Sequence, residues 1–238
     1  MKVKISDLQE KMEEGLTVRS LSASDAKLVV SVYVEAELKE KKTHGLGKFF
    51  LLEEAIQNRE GNPEIIKDKG NYALINAHKE LGYLSADFAT DILIKKAKKF
   101  DNAIVAVTNS YYYSMAGIYA RKVAKAGFVA IILNNGGPMA VAPFGGIDPL
   151  LGTNPIAIGI PTEGEPIVHD MATSEKTWGE TNLAKVEKRT LQEKTFLDKE
   201  GKYTTDPYAV EAIVPFGGAK GYGLNLMFEI LTGALVGA

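Results

Sequence analysis

The 238-residue chain contains no cysteine, which excludes disulfides, thiol nucleophiles and thiolate metal sites together. An excess of positive charge is missing too: 28 Lys plus Arg stand against 30 Asp plus Glu, a net charge of −2. A nucleic-acid groove needs a basic surface, so nucleic acid is not expected as a partner. There is no long apolar run. The longest, LNLMFEILTGALVGA, has 15 residues and contains Glu229, too short and too polar to span a bilayer. The amino terminus, MKVKISDLQEKMEEGL, is charged and lacks the apolar stretch of a signal peptide. The expectation is a soluble cytoplasmic protein with no membrane partner. Aromatics are sparse at 8%, yet NSYYYSMAG, Asn109 to Gly117, sets three tyrosines side by side.

What the chain does have is enough apolar material, 45%, for one large domain or two small ones. SASDAKLVVSVYVEAELKEK reads as an amphipathic helix. Ser22 and Asp25 are spaced as a capping box, and Val29, Val32, Tyr33 and Ala36 recur at helical intervals. THGLGKFF reads as a turn around Gly45 and Gly47, and NREGNPEIIKDKG (58–70) as a polar surface loop. SADFATDILIKKAKKF is a second helix with Ala89, Ile92 and Ala97 inside and its lysines outside. AIVAVT (103–108) and FVAIILNN are buried strands around a helix, SMAGIYARKVAKAG, capped by Ser114 and stopped by Gly127. If those strands are parallel, NSYYY and NNGGP share one sheet edge, where ligands bind in open α/β sheets. IAIGI is a short β-like run, and a further strand ends at Asp170.

Each chemical reading has a plain alternative beside it. His44 stands four residues before Lys48: a proton donor near a carboxylate-holding cation, or a loop histidine beside a solvated lysine. GGAKGYGLNLMFE is a Gly-rich loop opening a helix, with Lys220 in the loop. It suits a phosphate, or close helix packing. It is not a Walker A loop, since Ala219 precedes Lys220, and Gly221 and Tyr222 rather than Ser or Thr follow it. Asp170 suits ribose hydroxyls or a ring nitrogen, or caps a helix. His78 and His169 have no ligand spacing with His44, so no metal is expected. The tyrosines on local grounds would be one ring in the core and two at the surface. No G-x-G-x-x-G follows a strand, and no G-x-S-x-G is present. This reasoning reaches an α/β protein with a candidate anion-binding edge, not a reaction.

Taken in order, THGLGKFF, NSYYYSMAGIYARKVAKAG, APFGGIDPLLGTNPIAIGIP, VHDMATS, DKEGKYTTDP and FGGAKGYGLNLMFEILTGALVGA resemble the malate/L-lactate dehydrogenase family, which is distinct from the Rossmann-type enzymes. The resemblance runs from residue 24 to the end. It implies an α/β fold with a mixed, largely antiparallel sheet flanked by helices, not a classical Rossmann fold. It implies hydride transfer between NAD or NADP and a small 2-keto or 2-hydroxy acid, in a homodimer. One family unit spans 1–238, with 1–100 and 214–238 as a mainly helical substrate and dimer part and 101–213 as a sheet-containing cofactor part.

By the same resemblance His44 is the proton donor, Lys48 the carboxylate anchor where an arginine is usual, and Asp170, Met171, Ala172 and Lys220 contact the cofactor. Gly136 stands where a serine that touches the cofactor is common. Tyr112 takes the place of a family histidine, and Ser114 that of a glycine. A phenol, with an ordinary pKa of about 10, gives a proton more readily than it takes one back, so Tyr112 is a second acid if a cation such as Lys220 acts on it. Tyr111 and Tyr113 are packing residues. Family chains continue past LTGALVGA, whereas Ala238 falls inside or just after a helix. The alternative is a shortened, catalytically impaired relative that acts as a binding or assembly subunit.

Overall fold

A computed structural model describes residues 3–237. Ala238, expected at a helix end, lies outside the described residues. Two compact units divide the chain, Met1–Phe128 and Val129–Ala238.

In the first unit α1 (Ile5–Val18) is followed by α2 (Ala23–Leu38). The Ser22 hydroxyl accepts from the Asp25 N–H at 3.1 Å, the cap that the spacing announced. Valine disfavours helix locally, but Val29, Val30, Val32, Tyr33 and Val34 are all buried, so burial overrides propensity. They pack with Met12, Leu16, Leu52, Leu81 and Tyr83 into one core. THGLGKFF is not a plain turn: Leu46–Leu51 wind into a 3-10 helix, followed by α3 (Leu52–Gln57).

The expected surface loop at 58–70 is corrected as well. It carries β1 (Glu64–Lys69), antiparallel to β2 (Tyr72–Asn76). β1 is an exposed sheet edge, and its charged residues hide the strand from any hydrophobic pattern. Next come α4 (Gly82–Phe100), β3 (Ile104–Thr108) and α5 (Ala116–Lys125). Lys96 of α4 is buried, not outside. Its ammonium pairs with Asp68 and donates to the Gly70 carbonyl at 2.9 Å, holding the β1–β2 turn. α5 stops as expected before Gly127, whose φ is 91°. Ser114 is not its cap, because Met115 is, with no side-chain bond.

The second unit holds β4 (Ala130–Leu133), β5 (Ile156–Ile160), β6 (Ile167–Met171), α6 (Trp178–Glu187), β7 (Phe196–Leu197), β8 (Tyr203–Thr204), β9 (Ala212–Ile213) and α7 (Ala219–Glu229). The strand–helix–strand at 103–135 is present, but its two strands are not parallel neighbours. β3 runs parallel to β2 in the sheet β1–β2–β3, whereas β4 is antiparallel to β5 in the sheet β4–β5–β6. NSYYY and NNGGP therefore do not share one sheet's edge. A third sheet has the order β8–β7–β9. The architecture is α/β with mixed, largely antiparallel pairing, as the resemblance implied, divided among three small sheets.

Candidate active site

The first unit brings His44, Lys48 and Tyr112 together. The His44 N–H donates to the Lys41 carbonyl at 2.8 Å as the chain leaves α2, and the Lys48 N–H donates to Gly45 O at 3.0 Å. His44 and Lys48 thus occupy successive tight turns. Tyr112 comes from the far side, on the segment after β3, which is tied to the β2–α4 connection. Lys79 N–H donates to Asn109 O at 2.8 Å, and Tyr111 N–H to Glu80 O at 3.2 Å. Glu80 is 1% exposed. Its carboxylate takes Arg59 Nη2 at 2.6 Å and the Leu81 N–H at 2.6 Å, so an ion pair between a buried carboxylate and a half-buried guanidinium lies beneath the tyrosine segment.

The Tyr112 ring stacks on His44, with centroids 6.2 Å apart at 28°, and Lys48 Nζ lies 4.5 Å from the Tyr112 centroid. That is a cation–π contact. Tyr83 meets Tyr112 edge-on at 6.3 Å and donates its hydroxyl to Tyr33 at 2.6 Å. Tyr33 in turn donates to the Lys48 carbonyl at 3.4 Å. Tyr112 is 43% exposed, the most open of the three adjacent tyrosines, while Tyr113 packs edge-on against Tyr119. No single one of the three is the core ring; Tyr111 and Tyr113 are both half-buried.

Burial, then the charges of Lys48 and Lys41, push the His44 pKa from 6.5 down to about 4. At neutral pH the imidazole is therefore uncharged, with Nδ1 2.9 Å from the Thr43 hydroxyl. Burial lowers the Lys48 pKa and raises those of Tyr83 and Tyr33, the last to about 12. Among the described residues Lys48 enters no ion pair. A half-buried ammonium on an aromatic face can attract a small anion, with a neutral imidazole beside it that can hydrogen-bond to the anion or take up a proton.

In the second unit Gly136 follows β4, Asp170 and Met171 close β6, and Ala172 comes next. Asp170 is a strand residue, not a helix cap, because α6 begins later with Thr177 as its N-cap. Lys220 sits in the first turn of α7, not in the preceding loop, since Gly218 is the N-cap. Its side chain is exposed. Within Tyr112's own unit the cation on the ring is Lys48. Trp178 packs against the core of Ala140, Ala184, Leu191, Phe196 and Ile213. An exposed carboxylate at a strand end and an exposed ammonium in a helix's first turn are a donor set that fits the ribose and phosphate groups of a dinucleotide.

Sequence reasoning missed Tyr83 and the Arg59–Glu80 pair, and left Tyr33 as a packing residue. It also missed a buried amide cluster centred on Asn154, with Asn225 and Glu229 of α7. The one signal for the cluster was an acid, Glu229, inside the most apolar run. Among the described residues no group of three His, Asp or Glu is placed to hold a metal, and no helix is long and apolar enough to cross a membrane.

A family model described as malate/L-lactate dehydrogenase matches residues 3–238. The L-sulfolactate dehydrogenase of Methanothermobacter thermautotrophicus is 36% identical over 233 residues, 95% of this chain and 68% of that protein. The ureidoglycolate dehydrogenase (NAD(+)) of Escherichia coli K12 is 32% identical over all of this chain and 69% of its own. A (2R)-3-sulfolactate dehydrogenase (NADP(+)) of Chromohalobacter salexigens is 33% identical over 94% of this chain and 71% of its own. Among solved structures, the sulfolactate dehydrogenase of Methanocaldococcus jannaschii superposes with a TM-score of 0.90 at 34% identity, over 100% of this chain and 70% of that one. This chain spans about two thirds of the length of these relatives.

Proposed function

The chain belongs to the malate/L-lactate dehydrogenase family, and from that premise we propose that it interconverts a small 2-keto acid and its 2-hydroxy acid with NAD or NADP. The observation that carries the reading is the Lys48 ammonium lying on Tyr112 beside a neutral His44. The nicotinamide, when bound, supplies or accepts the hydride at the substrate's C2. Lys48 holds the substrate carboxylate, through a point charge where an arginine would offer a two-pronged fork. His44 delivers the proton that turns the C2 oxygen into a hydroxyl. In the free protein His44 is neutral, and an anion docked on Lys48 offsets the charges that depress its pKa, so carboxylate binding and proton uptake reinforce each other. Tyr112 is the platform for Lys48 and, through its phenol, a second acid.

On the same reading Asp170, Met171, Ala172, Gly136 and Lys220 face the cofactor. The part 101–213 carries it, and 1–100 with 214–238 serves substrate and dimer, in a cytoplasmic homodimer. Relatives named for NAD(+) and for NADP(+) both support a nicotinamide cofactor. The impaired-subunit alternative gains no support from relatives that are themselves named as dehydrogenases.

The test is reduction of a panel of 2-keto acids (oxaloacetate, pyruvate, sulfopyruvate) with each reduced nicotinamide, followed by absorbance. Turnover is expected with at least one pair, and Lys48→Met should raise KM for the acid by roughly tenfold or more, the loss of one charge-assisted contact. Absence of turnover with every pair, or a Lys48→Met variant with unchanged KM, overturns the proposal.

A further inference from the structure

The buried polar cluster of the second unit lies outside every role described so far. Asn154 is 0% exposed, with a left-handed φ of 30° directly before Pro155. That backbone is costly ahead of a proline and persists only where the surroundings enforce it. Its side chain is fully engaged. Nδ2 donates to Asn225 Oδ1 and to Glu229 Oε2, each at 2.7 Å, and Oδ1 accepts the Gly136 N–H at 3.3 Å. Asn225 Nδ2 donates to Gly152 O at 2.9 Å, and Asn135 Nδ2 to Glu229 Oε1 at 3.3 Å. The Thr173 hydroxyl donates to the Asn154 carbonyl at 2.9 Å.

This pattern fixes the amide's orientation. Turned over, it would aim Oδ1 at a carboxylate and a carbonyl oxygen, and Nδ2 at an N–H. Asn154 therefore ties the stretch after β4 and the turn before β5 to helix α7 through its carboxamide, and the exit of β6 through its backbone carbonyl. Backbone packing adds to the lock. A Cβ on Gly136 would lie 2.7 Å from Asn134 Nδ2, and one on Gly152 would lie 2.6 Å from the Gly136 carbonyl. The stretches that it joins are the ones that carry Gly136, Met171 and Ala172, and α7 bears Lys220.

We propose that Asn154 is a positioning residue for the dinucleotide: through its amide bonds to Asn225 and Glu229 it sets the Gly136 segment against α7, with the β6 exit held on its backbone carbonyl, before the cofactor arrives. The proposal rests on the dehydrogenase reading above. Ordering these segments in advance removes that cost from binding. Asn154 does not touch the cofactor; it acts through the peptide groups that it holds.

The test replaces Asn154 by Asp, which keeps an acceptor for the Gly136 N–H but turns an oxygen toward Asn225 Oδ1 and Glu229 Oε2. Two carboxylates held this close in a partly buried place share a proton and lose it as pH rises. NADH and NADPH are titrated into the full chain, with Trp178 emission as readout. The wild type is expected to bind one of them. The Asn154→Asp Kd should be about tenfold or more higher at about pH 8.5, with the loss shrinking toward about pH 5.5 as the shared proton restores a donor. Oxamate affinity, a readout of the Lys48 site, should not change, whereas general loosening of the fold would alter both.

An unchanged cofactor Kd in a folded variant overturns the positioning role and leaves the dehydrogenase reading standing. Failure of the wild type to bind either cofactor overturns both. Should the variant not fold, hydrogen exchange on the wild type decides the matter. Slow exchange of the 134–138 amides in the free protein is expected, and fast exchange until cofactor is added overturns preorganisation.

Discussion

The His44 environment makes the most direct quantitative prediction. Its pKa lies at about 4 in the folded chain against an ordinary 6.5, so the unfolded chain binds the extra proton first. Stability must rise with pH across that window. The contribution is fully present above 6.5 and is lost as pH falls toward about 4. About 2.5 units at about 1.36 kcal/mol each give roughly 3 kcal/mol. The residue is only half-buried, so the full figure is an upper bound. The perturbation is His44→Asn, which cannot titrate. Urea unfolding of both proteins from about pH 7.5 to about pH 4 should show the wild type losing up to roughly 3 kcal/mol relative to the variant, with most of the divergence below 6.5. Histidine ring resonances of the wild type, assigned with the same variant, should place one titration near 4. Added oxamate should move it upward, because an anion at Lys48 favours the imidazolium. Parallel stability curves, or a His44 resonance that titrates at its ordinary value, would refute the account of a desolvated imidazole beside two lysines.

Substitutions at three further positions separate structural roles from chemical ones. Tyr112→Phe keeps the ring under Lys48 and should leave KM for the acid nearly unchanged, while Tyr112→Leu removes the cation–π contact and should raise KM by several-fold, about 1 kcal/mol. A Phe variant with a roughly hundredfold lower kcat would assign the phenol a proton-donating role. Ser114 holds φ 72° while its hydroxyl reaches the His44 carbonyl only at 3.5 Å. Ser114→Gly should therefore stabilise the fold by up to about 1 kcal/mol in urea titration, and a loss would mean that the hydroxyl contact outweighs the strain. Glu80→Ala strands the Arg59 guanidinium and should cost roughly 3 kcal/mol in the same assay. It also removes the carboxylate that accepts the Leu81 N–H at 2.6 Å, while the Tyr111 N–H keeps the backbone carbonyl of residue 80; an unchanged unfolding midpoint would contradict the cost.

How much of this the sequence carried depends on what kind of pattern each part leaves. α2 and α4 were legible because one face repeats at helical spacing and Ser22 caps the first of them. β1 was not, because an edge strand such as EIIKDK is solvated and its residues are chosen for exposure. The pairing of β3 with β2 instead of β4 is a long-range choice that two apolar runs cannot express. His44, Lys48 and Tyr112 were legible as a set only through the family resemblance, since Tyr112 stands 64 positions after Lys48. Asn154 left no periodic trace. A buried amide that bonds to three other residues looks, in sequence, like an ordinary turn residue before a proline.

The same site explains why the departures at residues 48 and 112 belong together. The resemblance implies an arginine and a histidine at those positions, and this chain has Lys48 and Tyr112. A guanidinium can hold a carboxylate through two parallel hydrogen bonds and needs little further support, whereas an ammonium is a point charge on a flexible stem. The Tyr112 ring supplies what the stem lacks. Its face lies 4.5 Å from Nζ and draws the cation to one spot. A protonated imidazole in that place would instead repel Lys48 and push down the pKa of His44 further. Tyr112 stacks on His44 without adding a charge, so one neutral ring confines the lysine and shields the histidine together. On the proposed reading the pair makes a self-consistent anion site, in which the aromatic face takes over the orienting work that a guanidinium would do by its own geometry.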